Sequence, residues 1–149
     1  MNFDGLCEPK NPGGVATYGV VIRGERGEKI FEEGGLAFAD PYSDQASNNV
    51  AEYSALIRGL RWMLENRMNK SRITIRGDSK LVVNQLNGTF KVKAPRLLEL
   101  YKEAKELLSC FSDSRIEWID RSFNTEADLL SRIAYSKYIK SKRRREPGP

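Results

Sequence analysis

The chain has 149 residues, 40% hydrophobic and 30% charged, which is one domain's worth and enough to bury roughly 70% of the unfolded surface. No apolar run approaches the ~20 residues of a membrane span, and the Met1-Asn2-Phe3-Asp4 start lacks the basic and apolar regions of a secretion signal, so a cytoplasmic protein with no membrane partner is expected. Cys7 and Cys110 show neither metal nor disulfide spacing and histidine is absent, which argues against zinc and leaves hard ions on oxygen ligands as the metals to expect.

In chain order, Asp4-Gly5 ends a short first strand and residues 8–14 read as a loop. Val15 to Arg23 is β-rich, Gly24 to Gly27 turns, and Ile30 to Ala39 reads as a third strand with a bulge at Gly34-Gly35. These three predict an antiparallel meander. Ser47 to Leu64 predicts an amphipathic helix with Tyr53, Ile57, Leu60 and Leu64 on its apolar stripe, and Glu52 falls on the rim of that face with Leu56, Gly59 and Met63. A carboxylate there costs free energy unless it is compensated. One reading makes Asn49 the N-cap and Glu52 the acid of a capping box.

Arg72 to Gly77 alternates as a strand, Asp78 stands at the junction, and Ser79 to Leu86 reads as a short helix. Residues 88–95 form a loop carrying Lys91 and Lys93, Arg96 to Phe111 is a second long helix, Arg115 to Ile119 a last strand, and Asn124 opens a final helix. The order β-β-β-α-β-α-α-β-α predicts an α/β domain with a mixed sheet whose later strands are parallel. The formal charge of +5 resides in residues 136–149, where six basic residues face one acid. The domain proper is therefore expected over 1–139, with 140–149 a basic, disordered tail.

Asp4, Glu52, Asp78 and Asp128 each occupy a strand end or the first turn of a helix. Taken singly they are a turn residue and three caps, with Thr125 and Asp128 spelling another capping box. Taken together they are a metal site, since functional groups of α/β sheets gather at such positions and convergent carboxylates need cations. The ions expected on such oxygen ligands are Mg2+ or Mn2+.

The segments Phe3-Asp4-Gly5 with Cys7, Asn11-Pro12-Gly13-Gly14, Ser47-Asn48-Asn49-Val50-Ala51-Glu52-Tyr53, Gly77-Asp78-Ser79 and Asn124-Thr125-Glu126-Ala127-Asp128 resemble, in order, those of type 1 ribonucleases H of the compact kind. The resemblance implies a five-stranded mixed sheet in order 3-2-1-4-5 with helices on both faces. It also implies two Mg2+ ions, with Mn2+ as a substitute, on Asp4, Glu52, Asp78 and Asp128, cleaving the RNA strand of an RNA–DNA hybrid to 5′-phosphate and 3′-hydroxyl ends. Asn11, Ser47, Asn48 and Asn49 are then minor-groove contacts, and Cys7, Gly13 and Asn124 are placed with the substrate-binding residues.

The chain departs from the family pattern in three ways. No histidine precedes Asp128, so either Arg121 or Glu126 assists in its place or the step goes unassisted. No basic helical handle follows the Asp78 helix, so Lys91, Lys93 and the tail remain for hybrid affinity. Only three residues precede Asp4, short for a central strand, so an earlier start is expected. A monomer is expected, with double-stranded RNA a further candidate substrate. The alternatives are another metal-dependent nuclease of the same superfold and a non-catalytic nucleic-acid-binding module.

Overall fold

The structure, a computed structural model, describes residues 1–145. Its five strands are β1 (Asn2–Glu8), β2 (Val15–Arg23), β3 (Lys29–Leu36), β4 (Arg72–Gly77) and β5 (Asp113–Trp118). They form one sheet in the order β3-β2-β1-β4-β5. β1, β2 and β3 pair antiparallel, while β4 and β5 run parallel to β1. This is the expected mixed sheet.

The chemistry of β2 explains its place inside the sheet, between β3 and β1. Residues 15–22 are all buried, because alternate side chains meet helices on opposite faces. Ala16, Tyr18, Val20 and Ile22 join the core beneath α1 (Asn48–Glu65). On the other face the Thr17 hydroxyl donates to the carbonyl of Ser131 at 2.8 Å, in α4 (Thr125–Arg145). A Cβ on Gly19 would lie 2.0 Å from the Ala127 carbonyl oxygen, and one on Gly34 2.5 Å from that of Leu130. Gly34 is therefore a place of close helix approach. Gly34 and Gly35 pair regularly with Gly19 and Tyr18, and the irregularity lies at Ile22/Arg23 instead, which corrects the expected bulge.

α1 buries Tyr53, Leu56, Ile57 and Leu60 completely. Its N-cap is Ser47, whose hydroxyl accepts from the Val50 amide at 3.1 Å, so the Asn49–Glu52 capping box does not form. α2 (Lys80–Leu86) is likewise capped by Ser79, through the Val82 amide at 3.2 Å, not by Asp78. α3 (Pro95–Ser109) buries Leu100, Ala104 and Leu108 and packs on α1. Both α3 and β5 begin one or two residues before their expected starts, the usual uncertainty of element ends.

Two expectations about the termini change. Asp4 lies inside β1, which continues to Glu8, rather than at its end. α4 runs to Arg145, so residues 140–145 are helical rather than part of a coil tail, while residues 146–149 lie outside those described. Among the described residues, no helix is long and apolar enough to cross a membrane.

Candidate active site

The site is built where β1 and β4 part. Their parallel pairing covers Asn2 with Arg76 and Phe3 with Gly77, so the next residues on the two strands are Asp4 and Asp78. The sheet has its topological switch here, since β1 has an antiparallel neighbour on one side and a parallel one on the other; α/β proteins place ligands at such points. Glu52 arrives from the second turn of α1, whose first turn holds no acid. Gly5 makes this possible, because a Cβ there would lie 2.4 Å from the Glu52 amide nitrogen and 2.6 Å from Ala51 Cβ. The missing side chain lets the helix start press against β1.

One carboxylate oxygen from each of Asp4, Glu52 and Asp78 lies within 4.8 Å of the others. Asp4 is 6% exposed and Glu52 3%. Burial first, and then the neighbouring Asp78, pushes the Asp4 carboxyl up to about 7. Burial and the Asp4 charge hold Glu52 well above the ordinary carboxylate range, and burial raises Asp78 as well. Glu52 Oε2 is buried and makes no hydrogen bond. Groups of this kind ordinarily find a partner. Three oxygen donors raised together, with one of them unpartnered, fit a hard divalent cation, which would favour the ionised forms that the protein alone disfavours.

Asp128, in the first turn of α4, borders this cluster and contributes electrostatically to both Asp4 and Asp78. Its Oδ2 accepts from Arg132 Nε at 3.0 Å, an i,i+4 pair. The Asp128 carboxylate thus has an arginine partner on its own helix. The Asp128 amide donates to the Asn124 carbonyl at 3.1 Å.

Asn124 is 1% exposed, and its place corrects the substrate-contact expectation. Its amide donates to the Phe3 carbonyl at 2.9 Å and to Asp78 Oδ2 at 3.2 Å, and its oxygen accepts from Asn2 at 3.2 Å. Asn124 fixes Asp78 at the point where the strands separate. The Cys7 side chain is corrected in the same way. It is buried, and its thiol donates toward the carbonyls of Lys10 and Ala46, joining two loops rather than facing substrate.

The other expected contacts form an outward rim. Asn11 and Asn48 lock together: Asn11 Nδ2 donates to Asn48 Oδ1 at 2.8 Å, and the Asn48 amide donates to Asn11 Oδ1 at 3.1 Å. Gly13, at φ 101, donates its amide to the Ala46 carbonyl at 2.9 Å. Positive φ suits glycine there. Ser47 is occupied as the cap, and Asn49 is half-buried beside it. Arg121 is exposed and lowers the Asp78 carboxyl against the effect of burial. Lys91 and Lys93 are exposed on the α2–α3 connection. Glu126 pairs with Arg23 at 2.7 Å and Lys29 at 3.2 Å, facing away from a proton-transfer role.

Sequence reasoning missed three supporting groups. Gly5 and Gly19 act by absence of a side chain, and nothing in a lone glycine announces which helix it admits. The third is Trp118, whose indole donates to the Asp78 carbonyl at 3.0 Å while Lys80 lies 4.9 Å from its ring centroid.

A switch-point carboxylate cluster on a 3-2-1-4-5 mixed sheet defines the ribonuclease H-like class of fold. The family profile described as "Reverse transcriptase-like" matches residues 2–134. Over 93% of the chain, the structure superposes on LC11-RNase H1 solved with an RNA/DNA hybrid, with TM-score 0.80, 32% identity and 96% of that chain covered. With these matches in hand, the chain belongs to the ribonuclease H family, and within it to the type 1 enzymes. It is 37% identical over 132 residues to the ribonuclease HI of Halobacterium salinarum, covering 89% of this chain and 61% of that one. It is 40% identical over 124 residues to the bifunctional protein Rv2228c of Mycobacterium tuberculosis, covering 83% of this chain but only 32% of that longer protein.

Proposed function

We propose that the chain is an endoribonuclease that hydrolyses the RNA strand of RNA–DNA hybrids, leaving 5′-phosphate and 3′-hydroxyl ends. The observation that carries the reading is the unpartnered buried oxygen of Glu52 beside Asp4 and Asp78, in a chain similar to ribonucleases H1, one of them solved on a hybrid. Asp4, Glu52, Asp78 and Asp128 are the residues that would hold divalent ions, two Mg2+ with Mn2+ as a substitute. Such ions supply an activated water and neutralise charge on the leaving oxygen.

The chain's own groups do the positioning. Asn124 holds Asp78 in place through its side-chain amide, and the Gly5 amide donates to Asp4 Oδ1 at 2.9 Å, so both acids are oriented before substrate arrives. The locked Asn11–Asn48 pair presents preset polar edges next to the cluster. These would read the 2′-hydroxyls and width of a minor groove rather than base sequence. With Asn49 and Gly13 on the same rim, discrimination against all-DNA duplex falls on groups that RNA alone can meet. Arg121, near Asp78, is the candidate to stabilise negative charge where relatives carry a loop histidine. We further propose that the protein works as a cytoplasmic monomer and that Lys91 and Lys93 touch phosphates.

The runner-up is a nuclease of the same fold with other substrates. Labelled hybrid, double-stranded RNA, double-stranded DNA and DNA carrying four consecutive ribonucleotides are digested side by side with Mg2+ and with EDTA. The proposal expects metal-dependent cleavage of the hybrid and of the ribonucleotide-containing duplex, with the all-DNA duplex intact. Equal cleavage of all-DNA duplex would transfer the assignment to the runner-up, and no cleavage of any duplex would leave a binding module.

A further inference from the structure

Three joints of the carboxylate cluster are fixed by contacts already described. Gly5 lets the start of α1 press on β1, backbone pairing holds β1 to β4, and Asn124 fixes the Asp78 carboxylate. The remaining joint lies between α1, which carries Glu52, and α2, which begins two residues after Asp78. A divalent ion needs Glu52 and Asp78 ionised together, and their like charges repel until it arrives. Something other than the ion must keep the two elements at ligand distance.

Among the described residues one hydrogen bond joins α1 to α2: the Tyr53 hydroxyl donates to Gln85 Oε1 at 2.7 Å. Both side chains are buried, Tyr53 completely. Tyr53 follows Glu52 in the same turn of α1. Gln85 lies in the last turn of α2, a seven-residue helix that Ser79 caps directly after Asp78, so moving Gln85 moves the Asp78 junction. The other ties of this segment run to elements that carry no acid of the cluster. Lys105 Nζ of α3 donates to the Leu86 carbonyl at 3.3 Å, and Asn87 Nδ2 donates to the Ile116 carbonyl of β5 at 3.2 Å. An apolar pair would fill the space between Tyr53 and Gln85 without burying a hydroxyl and an amide. What a buried hydrogen bond adds is a fixed separation and direction.

We propose that the Tyr53–Gln85 hydrogen bond is a positioning tie of the metal site. It holds the turn of α1 that bears Glu52 at a set distance from the β4–α2 junction that bears Asp78, so that the carboxylates are gathered before an ion binds. Tyr53 and Gln85 are positioning residues, acting through the two acids from within the core. The inference rests on the metal-site reading and extends it to residues outside the cluster.

The test uses Tyr53→Phe, Gln85→Met and the double variant Y53F/Q85M. Removing one partner leaves the other buried and unsatisfied, whereas replacing both by apolar groups of similar shape restores much of the stability. Mn2+ binding at pH 7 is followed by electron paramagnetic resonance of the free ion, with thermal unfolding in EDTA alongside. The Mn2+ Kd should weaken about 3- to 10-fold in all three variants, the range set by loss of one hydrogen bond. In the double variant Tm should recover toward wild type while Kd does not. Half-maximal hybrid cleavage should need correspondingly more Mn2+, with KM for the hybrid unchanged and kcat at saturating Mn2+ within about threefold. Ser54→Ala is the control. It removes another buried polar tie of α1, to the Phe38 amide at 3.0 Å, and should lower Tm while leaving the Mn2+ Kd unchanged.

An unchanged Kd in the variants, a Kd that returns with Tm in the double variant, or an equal change in Ser54→Ala would each reduce the bond to an ordinary core contact and overturn the proposal. A wild type without saturable Mn2+ binding would instead remove the metal-site reading, and the tie with it.

Discussion

Replacing Glu52 by Gln separates what this carboxylate costs the fold from what it contributes to a metal. The side chain is 3% exposed, one oxygen is unpartnered, and burial plus the Asp4 charge raise it well above its ordinary value of 4.5. A raised carboxylate keeps its proton when folded and releases it when unfolded, so stability is greatest below the unfolded value and is lost as pH rises toward the folded one. Glu52 therefore opposes folding more strongly as pH rises above its ordinary value of 4.5.

Gln carries no such linkage, though its amide adds a buried donor that must find an acceptor, with Asp4 nearest. E52Q is therefore expected to be the more stable protein in EDTA at pH 7, by on the order of 1 kcal/mol or about 2 to 4 °C in Tm. At pH 4 the two proteins should be nearly equal. Urea and thermal unfolding at both pH values, with and without Mg2+, provide the test. Added ion should stabilise the wild type by mass action and the variant much less. A variant that is equally or less stable at pH 7 in EDTA would refute the idea that Glu52 is held at a cost to folding.

Asp78→Asn should lower kcat by several orders of magnitude, with hybrid affinity in EDTA retained within about threefold; turnover within tenfold of wild type would remove Asp78 from the metal set. Gly19→Ala places a Cβ 2.0 Å from the Ala127 carbonyl oxygen, so α4 must shift. The expected loss is about 1 to 3 kcal/mol in urea unfolding, and an unmoved midpoint would show that the helix does not need this approach.

What is legible in the sequence divides along physical lines. Asp78 can be found because it lies where β4 meets α2, and Glu52 because a carboxylate on the rim of an apolar helix face needs compensation, whereas Asp4 reads as a strand end although it lies inside β1. The start of α1 is ambiguous because Ser47, Asn48 and Asn49 are all competent caps. What decides among them is the Asn11–Asn48 lock from a distant loop, which no local pattern encodes. Gly34-Gly35 is ambiguous for the same reason: glycine serves bulges and close approaches alike, and the Leu130 carbonyl above Gly34 settles which. Asn124 follows the family pattern, yet burial places it behind Asp78 rather than before a substrate. The helical path of 140–145 is hidden by its charge, which reads as solvated coil until Lys142 is seen against Tyr42.

Calorimetric titration of Mn2+ into the protein at pH 7 in buffers of different ionisation heat counts the protons released per ion bound. Asp4, held at about 7, and Glu52, held well above the ordinary range, retain protons that a cation must displace. Saturable binding with release of about one to two protons is expected, falling sharply in Asp78→Asn, where a ligand is removed, and in E52Q, where a ligand and its proton are both removed. Saturable binding with no proton release, or equal binding by both variants, would contradict a metal site built on these carboxylates.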